Sequence, residues 1–434
     1  MRAVKRNPFL AGVVAILAGV LLVAGGAAAQ DAVVGSDKAA ALLVFPKLVA
    51  NSSNSVDTEI QISNASPHQI AARCFLVNAN SHCSNAGASN KTETVPLVCD
   101  TNSDCAGDVP GGRCIPGWTE TDFRFHLTAH QPIVWLLSEG MSNFPLDGLE
   151  KVGPIDNDPN LPANLRGQAA FNFNSRIPPA PEDPFKGELK CVQVDLVSEQ
   201  PSQGTDSDNN FHGDLEGQAT IDTNGDFDAE SYNAIGIQAV QDSNDGNDTL
   251  CLGSGSNAAC PGPEYAACPG VLILDHFFDG AIEPVNDDVV HTTLTLVPCS
   301  ENFGLQNTGS ASTVAQFLVY NEFEQRFSTS KTVTCYLSIG LSDIDSQEGT
   351  TGDDRSIFNV AVAGTLTGQT RIRAVDGTDR TRGDGLLAIA EELHGEGEVN
   401  SAAFNIDYQG SRARQDVVQL SGIECTPENP CPAP

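Results

Sequence analysis

The sequence predicts an all-β protein: two antiparallel β-sandwich domains, Ig-like or jelly-roll-like, joined to long disulfide-bearing loops. Three observations carry this. Short runs alternate apolar and polar residues with period two, the mark of half-buried antiparallel strands. Clusters of Asn, Asp, Gly and Pro punctuate those runs at the spacing of sandwich turns. Most of the 13 cysteines fall near strands or in stretches too polar to build a core of their own.

Taken in order, "DTEIQIS" (57–63) sets Ile60 and Ile62 on one face and Glu59 and Gln61 on the other. "IAARCFLVN" (70–78) follows, and "DFRFHLT" (122–128) turns Phe123, Phe125 and Leu127 inward with Arg124 and His126 outward. Further strands are expected at 188–196, 232–240 and 270–278. After Pro284 the pattern restarts at 288–299, 313–323, 331–339, 357–368, 402–410 and 416–422. "GLLAIAEELH" (385–394) fits both a short helix, through Leu386, Ile389, Ala390 and Leu393, and a strand running into a loop.

Residues 1–29 read as an export signal. Arg2, Lys5 and Arg6 precede an apolar run from Phe9 to Ala24, and Ala27-Ala28-Ala29 sets a cleavage site before Gln30. Residues 30–283 are then expected to form the first sandwich, with Cys-rich insertions at 83–118 and 241–268. Residues 284–424 form the second, and 425–434 a disulfide-closed or flexible tail. The pattern also lapses at 141–186 and 200–214, where the Pro-rich "RIPPAPEDPF" (176–185) reads as an extended connection. Loss of the signal takes the net charge from −33 to −36, because 1–29 holds three basic and no acidic residues. Such a chain repels nucleic acid and anionic lipid. No membrane insertion is expected after cleavage, and periplasm or extracellular space is the expected destination.

In an exported chain the cysteines are read as disulfides. The layout suggests Cys74 with Cys191 and Cys299 with Cys335 as matching bridges of the two sandwiches. Cys83, Cys99, Cys105 and Cys114 pair among themselves, Cys425 pairs with Cys431, and two of Cys251, Cys260 and Cys268 pair. Cys-x-x-Cys does not occur, which removes a thioredoxin-type site and a zinc ribbon.

Catalytic signatures are missing: the chain has no HExxH, GxSxG, P-loop or GxGxxG. "DTNGDFDAE" (222–230) offers oxygen ligands at Asp222, Asn224, Asp226, Asp228 and Glu230, the leading candidate set for a metal, calcium, to which "DSDNN" (206–210) or "DSNDGND" (242–248) could add oxygens if folded against it. Counted as an EF-hand loop it puts Phe227 where glycine belongs and Asn233 where a bidentate carboxylate belongs, so a solvated acidic turn is the expected reading. His126 and His130 stand four apart, a metal spacing only on a helix; in a strand they are rim residues. "RGD" (382–384) sits in a turn that its residues would make anyway.

Residues 99–114, "CDTNSDCAGDVPGGRC", resemble small Cys-rich knuckles of exported soil-bacterial proteins. "LVFPKLVANSSNSVDTEIQISNAS" (43–66), "QFLVYNEFEQRFSTSKTVTCYLS" (316–338) and "AGTLTGQTRIR" (363–373) resemble exported β-rich proteins of environmental bacteria across most of the mature chain. That resemblance implies export and a β fold, and no particular activity. The expected function is therefore non-enzymatic: surface structure, adhesion or binding of a protein or glycan ligand. The alternative is a secreted carbohydrate-active protein, glycan-binding or hydrolytic, using acidic loop residues. Two Trp and five Tyr leave few aromatic platforms for it.

Overall fold

Strand Val56–Asn64 shows how the pattern becomes structure: Thr58, Ile60 and Ile62 are buried while Glu59 and Gln61 are exposed. This is a computed structural model, which describes residues 33–83, 98–99, 102, 105, 113–116, 119–141, 177–196, 200–201, 212–223, 228–240, 247–255, 260, 262–304, 312–346, 355–375, 384–395 and 400–420. The expected export signal, the Cys425–Cys431 pair, and Arg382 and Gly383 of the RGD lie outside those residues.

Val56–Asn64 pairs antiparallel with Leu215–Thr223 and with Pro132–Leu136, and Asp228–Asn233 completes a four-stranded sheet. A six-stranded sheet packs against it. Its order is Val34–Gly35, Ile235–Ile237, Leu42–Ala50, Phe185–Val194, Ile70–Asn78 and Thr119–Leu127. The shared core holds Phe45, Ile60, Phe125, Trp135, Leu189 and Leu215. Trp135 meets Phe123 and Phe125 edge-on at 6.3 and 6.4 Å, the geometry favoured by the aromatic quadrupole.

The second half repeats the scheme. A five-stranded sheet runs Arg326–Thr334, Ser312–Asn321, Thr367–Val375, Pro269–Phe277, Asp407–Ser411. Its partner contains Ala281–Ile282, Val289–Pro298, Leu386–His394 and Asn400–Asn405, with Leu337–Gly340 paired to Val289–Pro298. Between them lie Leu274, Phe278, Leu296, Phe317, Phe358 and Ile372. A third apolar layer joins the halves, in which Leu42, Val44, Phe75 and Val192 of the six-stranded sheet pack with Val297, Phe303, Leu387 and Val418. That sheet is thus buried on both faces. Of 70–78 only Arg73 escapes full burial, and His126, expected outward, is buried. Residues 32–434 form one compact unit.

Several expectations change for local reasons. Strand Pro269–Phe277, expected in the first domain, is hydrogen-bonded into the second half's sheet, and Thr249–Leu252 pairs with Asp416–Gln419. The boundary at 283/284 therefore cuts across a sheet. The run 357–368 is not one strand. Asn359 caps Ala361 N–H at 2.9 Å, Val360–Ala363 makes one helical turn, and Gly364 ends it at φ 72°, in the left-handed region that glycine tolerates. Strand pairing on both sides fixes 386–394 as a strand despite its helical spacing. The run 331–339 breaks at Cys335, whose φ is 54°.

Five disulfides close within the described residues: Cys74–Cys191, Cys83–Cys105, Cys99–Cys114, Cys251–Cys260 and Cys268–Cys299. Cys74 and Cys191 stand directly opposite in register, as their strand positions suggested. Cys299 does not bond Cys335. Strand 269–277 lies in the second half, which carries Cys268 to Cys299, while Cys335 is buried in the layer between the halves. Disulfides in this number place the chain in an oxidising, non-cytoplasmic compartment. No helix among the described residues is long and apolar enough to cross a membrane.

Candidate functional site

Pro46 interrupts the apolar strand Leu42–Ala50, and the ladder to Phe185–Val194 slips there: Phe45 faces Leu189, whereas Leu48 faces Gly187. Proline has no N–H to give the ladder, and a bulge of this kind re-aims the side chains it carries. The side chain it delivers is Lys47. Buried Tyr232 completes the bulge, accepting from Lys47 N–H at 3.2 Å and donating its hydroxyl to the Lys47 carbonyl. Burial holds that phenol well above its ordinary pKa, so it stays a neutral donor.

Lys47 Nζ pairs with Glu391, 344 residues away on strand Leu386–His394. Glu230 lines the same cleft and acts on Glu391 electrostatically. Burial is the first cause that pushes the Glu391 carboxyl up to about 7; Lys47 opposes the rise and Glu230 adds to it. Asn405 positions the pair: its amide accepts from Asn233 N–H at 3.0 Å and donates to Asn233 C=O at 2.7 Å. This clasps strand 228–233 onto strand 400–405, the neighbour of Glu391.

These groups lie in a cleft of about 450 Å³ between the two halves, with Val49, Val56, Phe185, Ile221 and Leu393 among its apolar walls. Asn80 and Val98 line it beside the disulfide-pinned knuckle. There Asn78 and Asn80 each donate to Glu182 at 2.6 Å, and His82 Nε2 lies 3.0 Å from the same carboxylate. Burial would raise Glu182, but the bonds from His82, Asn78 and Asn80 hold it below the ordinary value. The cleft thus offers a fixed ionic cluster on an apolar wall and an anchored amide near its rim, the composition of a small-ligand site.

The hairpin separates the expected calcium ligands. Asp222 pairs with Ala229 and Glu230 with Ile221, and neighbouring cross-strand pairs point to opposite faces. Asp222 is accordingly exposed, while Glu230 turns into the cleft. One ion cannot take both. Asp228 opens the second strand opposite Thr223, and Asn224 and Asp226 lie outside the described residues. Among the described residues, side chains close enough to share an ion are Cys83, Cys99 and Cys105, and Cys268, Cys299 and Asp416, whose cysteines are in disulfides. His130 is exposed and His126 buried, so they do not face each other.

A second ionic cluster is structural. Lys190 lies between Glu188 and Glu301, 2.9 Å from Glu188, with all three almost inaccessible. Burial pushes the Glu188 carboxyl well above its ordinary value against the pull of Lys190; burial would lower Lys190, but Glu188 and Glu301 hold its ammonium above the ordinary value. Lys190 also stands 5.9 Å over Phe303, which stacks on Phe75 at 4.3 Å. The cluster bridges the two halves.

Lys47 and Glu391 carry no sequence motif. The sole hint is local: a Pro-Lys step in an otherwise apolar strand, and a Glu pair where strand and helix patterns compete. The chain matches no protein-family model, and no curated protein is detectably similar to it.

Proposed function

We propose that this is an exported, non-enzymatic β-sandwich protein, periplasmic or extracellular, that binds a ligand through the cleft between its halves. One observation carries the reading: Lys47, Glu391 and Glu230 are fixed together inside an apolar concavity rather than on a solvated face. Charged groups held there cost desolvation, and a polar ligand group seated among them recovers hydrogen bonds. Among the ligands the sequence suggests, the volume suits a terminal sugar or a single side chain of a protein partner better than a broad protein face.

The hydrolytic alternative needs two carboxyls about 5–9.5 Å apart with the glycosidic bond between them. Glu391 is instead engaged by Lys47 Nζ, which occupies that carboxylate and favours binding. An oligosaccharide array is the test. Specific signals that disappear in Lys47→Met and Glu391→Gln support the cleft. Signals that survive both, or an array blank throughout, count against it, and release of reducing sugar would bring hydrolysis forward.

A further inference from the structure

The exposed apolar side chains are not scattered. Among the described residues eight large hydrophobics are exposed; Phe323, Val362 and Leu366 lie on two turns of the second half that hydrogen bonds join, and Ile282 and Val285 lie on the hairpin that follows Gly280. Phe323 is 72% exposed and Val285 83%. Single exposed apolar residues are ordinary, but a contiguous set marks an interaction surface.

These turns are held in place. Asn321 accepts from Phe323 N–H at 3.0 Å and from Gln325 N–H at 2.9 Å, and donates to Ala363 C=O at 2.8 Å. The Glu322 carboxylate accepts from Thr367 N–H and hydroxyl at 3.0 and 2.9 Å, on the turn that shows Leu366. Glu283 accepts from Val285 N–H at 2.7 Å. Phe278 N–H reaches Leu366 C=O at 2.9 Å, which ties the chain leading into the Val285 hairpin to the Leu366 turn. The apolar tips are therefore presented by a rigid frame, which lowers the entropic cost of binding.

A groove of about 470 Å³ runs beside the tip, walled by Phe277 and Tyr320. Its charged residues are Asp275, Glu322 and Glu392. His276, also in its lining, is engaged at 2.8 Å with Thr370 Oγ1 and with Phe277 C=O. Exposed Asp287 and Glu324 extend the acidic rim along the turns, and Arg326 follows on the edge strand. An apolar tip continuous with an acidic, aromatic-walled groove calls for a partner with the complementary pattern.

We propose that this end docks an extended segment of another protein bearing Lys or Arg beside aliphatic or aromatic residues. The basic side chains occupy the groove and the apolar ones cover Phe323 and Leu366. An acidic rim on a chain of net charge −33 repels both anionic lipid headgroups and a second copy of itself. The surface does not involve the cleft, so each reading stands or falls alone.

The test uses the full secreted chain with a synthetic peptide alternating Lys and Leu, and the Glu–Leu counterpart as control, followed by fluorescence anisotropy. Binding of the Lys peptide alone is expected, weakening as salt shortens the screening length from about 30 to about 3 Å. Phe323→Ser should weaken it by about tenfold, the loss typical of a central apolar anchor, and Asp275→Asn with Glu392→Gln should reduce the salt dependence. Phe323 is solvent-exposed, and an unchanged melting temperature would show that its variant folds. No binding of the Lys peptide, equal binding of both peptides, or indifference to Phe323→Ser would overturn the proposal. So would Phe323-dependent attachment to phosphatidylcholine vesicles, which makes the tip a lipid anchor, or Phe323-dependent dimers, which make it a self-contact.

Discussion

Replacing Glu391 by Gln should change how stability depends on pH. Burial, with Glu230 beside it, holds this carboxyl at about 7 in the folded chain against an ordinary 4.5, despite the opposing Lys47. The folded state therefore binds a proton that the unfolded state releases between those values. Stability from this group is fully present below about pH 4.5 and is lost as pH rises through about 7. At 1.36 kcal/mol per pKa unit, the swing is about 3 kcal/mol. Gln resembles the protonated acid in shape and hydrogen bonding but does not titrate, so the variant lacks the swing. Relative to wild type, Glu391→Gln should gain about 3 kcal/mol of stability between about pH 4 and pH 8. Urea unfolding with disulfides intact, measured at pH steps for both proteins, gives the difference directly, and all other titrating groups cancel in the comparison. Parallel stability curves would refute the raised Glu391 carboxyl in the cleft.

Two other outcomes follow from the buried framework. Lys190→Met strands Glu188 and Glu301 in a site with almost no solvent; it should cost about 3–5 kcal/mol in urea unfolding, whereas apolar replacement of all three should be close to neutral. A loss under about 1 kcal/mol for the single change would mean that water reaches the cluster. Peptide mapping without reduction should return Cys268 linked to Cys299, and a Cys299–Cys335 link would contradict the placement of strand 269–277 in the second half.

The aromatic core was readable because it is written in local alternation. Trp135 lies in an apolar strand and turns inward with Phe123 and Phe125, as period two requires. The knuckle was readable in part: its four cysteines do pair among themselves, although which pairs with which depended on the fold. The cleft was not readable. Glu230 drew notice as an acidic-turn ligand, whereas its face is set by hairpin register, and the register opposes it to Asp222.

What the sequence by itself determined is the all-β class, the faces of strands such as Val56–Asn64 and an oxidising location; Cys74 with Cys191 was one pairing among several that it allowed. These follow from the pleat, which alternates faces within a few residues, and from the chemistry of cysteine. Only the tertiary structure decided that one sheet is covered on both faces, that Pro269–Phe277 joins the second half, and that Lys47 meets Glu391 across 344 residues. The physical reason is the range of the forces involved. A strand's faces are set by its own backbone, whereas the partner of a buried charge is set by which surfaces the whole chain brings together, and no local pattern records that.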